Sequence, residues 1–186
     1  MLFRSGGVPI VGGSTADNTV EGHWKQITRD GVASDAVVVS ALFPSGRIGS
    51  AFQGGYLPTE RSGRVTRAAG RTIAEIDGRP AAEVYNEWLG GALAEMLPNG
   101  GNILGKTTLH PLGRRVGAAG GVPYYRLAHP DAMTAERGLS LFADVAPGDE
   151  LVLMKGTAEG LLERAGTVAS DALSGLGLGP GEAAGA

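Results

Sequence analysis

Residues 63–89 read GRVTRAAGRTIAEIDGRPAAEVYNEWL, and the order of local signals in this stretch decides the fold class. Two short runs, 64–68 and 72–76, flank a glycine turn and predict a β-hairpin. Asp77-Gly78 then supplies the residue types of a tight reversal. Pro80 suits the first turn of a helix, because the N–H group that proline lacks has no intrahelical partner there. The stretch therefore predicts two antiparallel strands followed directly by a helix.

The predicted helix has one apolar face and one weak point. Gly90-Gly91 interrupts it, and each glycine costs about 1 kcal/mol relative to alanine inside a helix. We therefore expect a break at this pair. The apolar residues at helical spacing are Ala81, Val84, Tyr85, Trp88, Leu89, Ala92, Leu93 and Met96.

The N-terminal third is strand-like. Residues 8–11 form a short apolar run that predicts a strand. Residues 23–28 and 36–42 are predicted to pair across the Asp30-Gly31 turn, and 47–52 predicts a further strand. These segments would belong to an antiparallel arrangement.

The C-terminal part repeats the order of strands before a helix. Residues 107–110 and 124–127 predict strands, and 139–145 is predicted to pair with 150–154 across the turn APGD. A second amphipathic helix is predicted from Thr157, a good N-cap residue. The glycine-rich end, 177–186, predicts a disordered tail. The whole pattern predicts an α+β fold, a mainly antiparallel or mixed sheet with two amphipathic helices packed on it.

Composition excludes several classes of function. The 186 residues carry a formal net charge of -3 and no cysteine, so we expect no nucleic-acid partner, no disulfide and no thiolate metal site. The three histidines do not show metal-ligand spacing, and we expect neither a metal nor a cofactor. Neither a signal peptide nor a membrane span is evident, so the sequence predicts a cytoplasmic protein that does not bind membranes.

The sequence GGNILGKT, residues 100–107, matches the phosphate-loop pattern G-x-x-x-x-G-K-[ST]. If the match were functional, Lys106 would reach a terminal phosphate and Thr107 would bind Mg²⁺ in a nucleotide-binding enzyme. A phosphate loop needs a strand before it and a helix after it, whereas a helix and a turn precede this segment and a strand is predicted after it. The context favours a glycine-rich connection.

A glycine loop supplies the first candidate binding residues, Gly12, Gly13, Ser14 and Thr15. Small residues and exposed N–H groups after a strand allow close approach of a carboxylate or phosphate. The alternative is an ordinary turn. Neither Ser14 nor any other serine lies in the G-x-S-x-G pattern of a catalytic nucleophile.

His110 and Arg126 are the other two candidates. His110 lies in HPLGRR, where an imidazole beside arginines can bind an anion, although it can equally be a polar loop residue. Arg126 lies inside the strand-like run PYYRLAH and is expected to be half-buried. A buried arginine needs an acidic partner or an anionic ligand, and a salt bridge is the simpler solution.

The chain resembles the FIST family along most of its length. The matched pieces are GGSTADN, DAVVVSALF, GRVTRAAGRTIAEIDGRPAAEVYNEWLG, HPLG, PYYR and LSLFADVAPGDELVLMKGT. The resemblance implies that residues 1–62 are the end of the N-terminal FIST half and 63–186 the first part of the C-terminal half. The family pattern is expected to extend further in both directions, so the resemblance implies a fragment.

The resemblance also implies a function. FIST proteins are regarded as intracellular sensory domains, so the chain is expected to bind a small ligand and to act as an input module in signal transduction. The ligand would be an amino acid or another small anionic or zwitterionic metabolite, and the output a kinase, cyclase or receptor module. The resemblance implies no catalytic residue and no enzyme activity. Two alternatives stay open: a nucleotide-binding enzyme using residues 100–107, and a ligand-free protein interaction module.

Overall fold

The computed structural model divides the chain into two units, residues 1–53 with 165–186, and residues 54–164. The residues that it describes are 2–5, 8–16, 21–51, 54–119, 122–179 and 181–182. Part of the tail predicted to be disordered, residues 180 and 183–186, lies outside this description, and that expectation stays a prediction.

The first unit contains two small hairpins. Strand β1 (Leu2–Ser5) pairs antiparallel with β2 (Val8–Val11), which confirms the predicted strand at 8–11. Strand β3 (Gln26–Thr28) pairs antiparallel with β4 (Gly31–Ala33). The turn at Asp30-Gly31 is therefore confirmed.

The predicted partner of this turn, 36–42, is wrong. Thr28 pairs directly with Gly31, so the returning strand begins immediately after the turn and ends at Ala33. The Thr28 hydroxyl fixes this tight turn by donating to the Gly31 carbonyl (3.0 Å) and accepting from the Asp30 N–H (3.1 Å). The predicted strand at 47–52 is also wrong over 47–51, which has no regular structure, and residue 52 lies outside the described residues.

The first unit has no buried core among the side chains that the structure describes. The run DAVVVSALF illustrates this, because Val37, Val39 and Phe43 expose 91, 84 and 94% of their surface. Apolar residues stabilise a fold only when they leave water. The exposed run therefore contributes little hydrophobic stabilisation to this unit.

The second unit is built on a nine-stranded sheet. Its strands are β5 (Tyr56–Ala69), β6 (Thr72–Ile76), β7 (Arg79–Pro80), β8 (Gly101–Asn102), β9 (Leu112–Ala119), β10 (Val122–Ala128), β11 (Pro130–Met133), β12 (Leu139–Leu141) and β13 (Glu150–Gly156). Their order is β10-β9-β13-β5-β6-β12-β11-β8, with β7 beside β6, and every pair is antiparallel. Helices α1 (Ala81–Trp88) and α2 (Leu104–Thr107) belong to this unit, with a 3-10 turn at Ala94–Met96, whereas α3 (Ala158–Ser174) begins in it and continues into the first unit. The α+β fold class is confirmed.

The stretch that decides the fold forms as its local signals predict. Strands β5 and β6 make the predicted hairpin, and β7 then pairs with β6 across Asp77-Gly78. Both turn residues have positive φ, +52° and +74°, as a type I′ reversal requires. Pro80 is the N-cap of α1 and so lies one position before the first turn in which we placed it. Gly90 and Gly91, with φ of +68° and +90°, end the helix where a break was predicted.

The core lies between this sheet and α1. Helix α1 buries Ala81, Ala82, Val84, Tyr85 and Asn86. The Asn86 side chain accepts a hydrogen bond from the Leu93 N–H (2.8 Å). This bond links the segment after the glycine break to helix α1. Other fully buried side chains include Ile73, Ile76, Leu112 and Leu139.

The predicted hairpin between 139–145 and 150–154 is wrong, although its turn exists. The Asp149 N–H donates to the Ala146 carbonyl (3.1 Å), and Gly148 has a φ of +94°. Strand β12 however pairs with β6 and β11, whereas β13 pairs with β5 and β9. The β5–β6 hairpin therefore lies between the two strands that the turn connects.

Two further predictions differ in outcome. The strand predicted at 107–110 is wrong, because Thr107 ends α2 and the next strand begins at Leu112. The strand at 124–127 is confirmed within β10. Helix α3 begins after Thr157, whose hydroxyl accepts from the Gly160 N–H (3.0 Å) as an N-cap should, but none of its residues is buried. The predicted division of the chain after residue 62 stays a prediction.

Candidate functional site

Two arginines lie directly opposite each other at one end of the sheet. Arg126 of β10 is the register partner of Arg114 of β9, and Leu151 of β13 lies on the other side of Arg114. Like charges at directly opposite positions of a sheet repel each other. The sheet therefore concentrates positive charge at this point and needs anions to balance it.

Asp149 balances only one of these charges. Its Oδ2 atom lies 2.7 Å from Arg114 Nη1, and the two side chains are 18% and 29% exposed. Arg126 is exposed and its side chain forms neither a hydrogen bond nor an ion pair with the described residues, although its charge does act on Asp149. The guanidinium of Arg126 is thus available to an external anion.

The Asp149 carboxylate is held ionised by its surroundings. Burial raises its pKa, but the hydrogen bond from the Ala146 N–H (3.0 Å), the hydrogen bond from Arg114 and the charges of Arg114 and Arg126 outweigh burial and hold the pKa below its usual range. The turn at residues 146–149 therefore carries a fixed negative charge beside the two arginines.

A shallow depression lies between these charged groups. Its lining consists of Leu112, Arg114, Arg126, Ala128, Leu141, Ala143, Asp144, Val145, Asp149 and Leu151. The free volume is about 10 Å³, which is roughly the space of one water molecule. Buried Leu112, Leu141 and Leu151 form an apolar floor.

A second, open depression of about 480 Å³ adjoins the first. It is lined by Arg114, Arg115, Val116, Gly148, Asp149 and Glu150. The two depressions share the Arg114–Asp149 ion pair.

Of the six residues predicted from the sequence, only Arg126 lines this site. It is exposed, so the expectation that it would be half-buried is wrong, and the reason is that β10 is the edge strand of the sheet. His110 is half-buried in the same unit but does not line the depression. Its N–H donates to Thr107 (2.8 Å), and its carbonyl accepts from the Tyr85 hydroxyl (2.6 Å).

The glycine loop belongs to the other unit. Gly12, Gly13, Ser14 and Thr15 are all exposed, and the Thr15 hydroxyl accepts a hydrogen bond from the Gln26 side-chain amide (3.0 Å). The ligand-binding role of these four residues and of His110 stays a prediction.

Sequence reasoning missed Arg114 and Asp149. The sequence contained one signal for Arg114, the doublet Arg114-Arg115 in a strand. Successive side chains of a strand point to opposite faces, so one of the two arginines must face the buried side of a half-buried sheet. The partner Asp149 comes from a turn, where aspartate is an ordinary residue and carries no such signal.

The lysine and the threonine of the phosphate-loop pattern contact other residues of the protein. Lys106 forms an ion pair with Glu95, and Thr107 is fully buried with its hydroxyl donating to the Pro130 carbonyl (2.9 Å). The second glycine of the pattern, Gly105, lies with the lysine and the threonine inside the four-residue helix α2. The lysine and the threonine that a nucleotide would need are therefore already engaged within the protein.

A second polar cluster surrounds His129. The rings of His129 and Tyr56 meet edge to face with centroids 5.7 Å apart, and the Tyr56 hydroxyl donates to the Thr108 carbonyl (3.1 Å). Burial lowers the pKa of His129, and a hydrogen bond to the Thr108 backbone opposes that shift only in part. The folded protein therefore prefers neutral His129.

We expect this preference to make stability depend on pH. An unfolded histidine titrates near pH ~6.5, so below that pH the unfolded chain binds more protons than the folded one and stability falls. The midpoint of thermal unfolding should drop between pH 7.5 and pH 5, and it should drop less in His129→Gln. Equal losses in both proteins would show that His129 is not responsible.

The described residues contain neither a metal-binding cluster nor a candidate membrane span. No group of three or more histidine, aspartate or glutamate side chains there is placed to hold a metal ion. Within the same residues, every helix is too short or too polar to cross a membrane.

Comparisons with known proteins agree with the resemblance seen in the sequence. Residues 1–79 match the family model of the FIST N domain, and residues 81–184 match that of the FIST C domain. An uncharacterized protein of Methanocaldococcus jannaschii is 34% identical over 89 residues, which are 48% of this chain and 17% of that protein. No solved structure gives a significant match. FIST domains are regarded as small-ligand sensory domains in signalling, and the family is not one of enzymes. The matches to its two domains, the second over more than half of the chain, show that this chain belongs to the FIST family.

Proposed function

We propose that this chain is a cytoplasmic input module of signal transduction that binds a small carboxylate-bearing metabolite, such as an amino acid, at the Arg114–Arg126 depression. The observation that carries the proposal is the guanidinium of Arg126, which has no hydrogen-bond or ion-pair partner among the described residues and lies at the rim of an apolar floor. A guanidinium can bind a carboxylate with two parallel hydrogen bonds. The kinase, cyclase or receptor that would receive the signal is part of the proposal.

The shape of the site limits the ligand. Room for about one water means that the ligand enters only if side chains at the rim move, and the exposed Arg126 is the side chain most able to do so. The apolar floor of Leu112, Leu141 and Leu151 then suits a short aliphatic group beside the carboxylate. Small amino acids and short carboxylates fit this description better than nucleotides do.

Removing the Arg126 guanidinium should weaken ligand binding. The measurement is thermal unfolding with a panel of glycine, alanine, glutamate and acetate, followed by calorimetry on any member that raises the midpoint. A ligand at 100 times its Kd stabilises a protein by about 2.7 kcal/mol. We expect Arg126→Gln to weaken binding at least tenfold, since a charge-assisted pair is lost.

Arg61→Gln is the matched control. Arg61 is an exposed arginine of β5 that lines neither depression, and its side chain makes no hydrogen bond or ion pair with the described residues. The Arg61→Gln variant should therefore bind ligand as the unmodified protein does. A panel without any effect on the midpoint would contradict the proposal, as would equal binding by Arg126→Gln.

A ligand-free interaction module is the second candidate. The exposed apolar run with Val37, Val39 and Phe43 favours it, because such surface commonly marks a protein contact. Light scattering in which mass rises with protein concentration, and is unaffected by the panel, would support this alternative over the sensor.

A further inference from the structure

Asp149 already does to Arg114 what a ligand carboxylate would do. Its Oδ2 atom accepts from Arg114 Nη1 at 2.7 Å and from the Ala146 N–H at 3.0 Å. An internal carboxylate thus occupies one of the two arginines at the proposed site. The other arginine, Arg126, stays open.

A ligand carboxylate on Arg126 would lie close to Asp149. Arg126 and Arg114 are directly opposite in the sheet, and both lie near enough to Asp149 for their charges to lower the pKa of its carboxyl group. A carboxylate that reaches both arginines must compete with Asp149, since two carboxylates beside one guanidinium repel each other. Displacement of the Asp149 side chain would leave the Ala146 N–H without its acceptor.

The turn that carries Asp149 is tied to the centre of the sheet. The Val65 N–H donates to the Asp149 carbonyl (2.9 Å), and the Gly148 N–H donates to the Val65 carbonyl (2.8 Å). Val65 belongs to β5 and is itself buried. A change in the turn therefore acts directly on the strand that runs through the core.

We infer that Asp149 is an internal competitor for the ligand carboxylate, and that ligand binding releases its side chain from Arg114 and from the Ala146 N–H. The inference rests on the proposed function, because it assumes that a carboxylate binds at these arginines. It adds a structural difference between the two states of the site: Asp149 is bonded to Arg114 and to the Ala146 N–H in the empty site and is released in the occupied one.

Asp149→Asn tests the inference in the full chain. Asparagine keeps a side-chain oxygen for the Ala146 N–H but loses the charge that competes for Arg114. Glu75→Gln is the control, since the Glu75 carboxylate is also paired with an arginine of the sheet, Arg67 (2.8 Å), but lines neither depression. The probes are sodium acetate and glycine, titrated at constant ionic strength and followed by NMR chemical shifts.

The expected result is an acetate affinity roughly tenfold higher in Asp149→Asn, since a charge-assisted bond no longer has to break, and a change below about threefold in Glu75→Gln. Binding by Asp149→Asn alone would also support the inference. Unchanged or weaker binding by Asp149→Asn would overturn it while leaving the proposed function intact. Absence of binding in the unmodified protein and in both variants would overturn both.

A second measurement uses only the unmodified protein. Saturating acetate should speed hydrogen exchange of the Ala146 amide, which loses its acceptor, and should leave the Leu93 amide, bonded to Asn86, unchanged. Unchanged or slower exchange at Ala146 in the presence of bound acetate would overturn the inference even if Asp149→Asn failed to fold.

Discussion

Replacing Leu112 by alanine should lower the free energy of unfolding by about 2–5 kcal/mol, the range for a buried leucine that leaves a cavity. Leu112 is fully buried on β9, where it pairs with Ala128 of β10 and with Leu153 of β13. Its side chain also forms part of the apolar floor beside Arg114. Urea unfolding followed by circular dichroism measures the loss directly.

Val116→Ala is the control for this prediction. Val116 lies on the same strand but exposes 57% of its surface, so the truncation should change stability by no more than about 0.5 kcal/mol. Similar losses in both variants would mean that β9 does not bury its Leu112 face as described. The proposed ligand site would then lose its floor as well.

Gly100→Ala should destabilise the protein by about 2–4 kcal/mol, because two costs add at this position. Gly100 has a φ of +68°, in the left-handed region that favours glycine. A Cβ there would lie 2.6 Å from the Met133 carbonyl oxygen, a backbone atom that cannot swing away. Chemical denaturation of the purified variant gives the magnitude.

Gly105→Ala, in the same GGNILGKT segment, provides the comparison. Gly105 lies in α2 with nothing within 4 Å of its Cβ position, so alanine should be neutral or stabilise by up to about 1 kcal/mol. A large loss at Gly105 together with a small one at Gly100 would reopen the phosphate-loop interpretation. Mg-ATP should leave the midpoint of the unmodified protein unchanged.

The sequence predicted best those features that neighbouring residues determine. The Asp77-Gly78 reversal and the helix end at Gly90-Gly91 formed where expected, because each depends on backbone angles that glycine adopts at low cost. Pro80 was misplaced by one position only. Local chemistry was sufficient for these elements.

Strand partners were predicted less well, since the pairing energy comes from segments far apart in the chain. The turn at 146–149 was correct, yet β12 and β13 pair with other strands because β6 and β5 offer them partners. The segment at 107–110 looked like a strand, but its threonine uses the hydroxyl to fix a helical turn against Pro130. Rules based on local sequence, such as those for hairpins, predict neither which distant strand a segment pairs with nor whether a short segment forms a helical turn.

The candidate site shows the same limit. Arg126 was found because an arginine inside an apolar strand is unusual on any register. Its relation to Arg114 depends on the pairing of β9 with β10, and the role of Asp149 depends on the turn that follows β12. Only the assembled sheet brings these three charges together.

The position of the β5–β6 hairpin also has a consequence for how the chain folds. Strands β12 and β13 are joined by residues 142–149 but bond to opposite sides of that hairpin. The hairpin forms from neighbouring residues, whereas both outer strands must close long loops to reach it. We therefore expect the hairpin to form before the outer strands pair with it, and we expect slow folding, as in other topologies dominated by distant pairings.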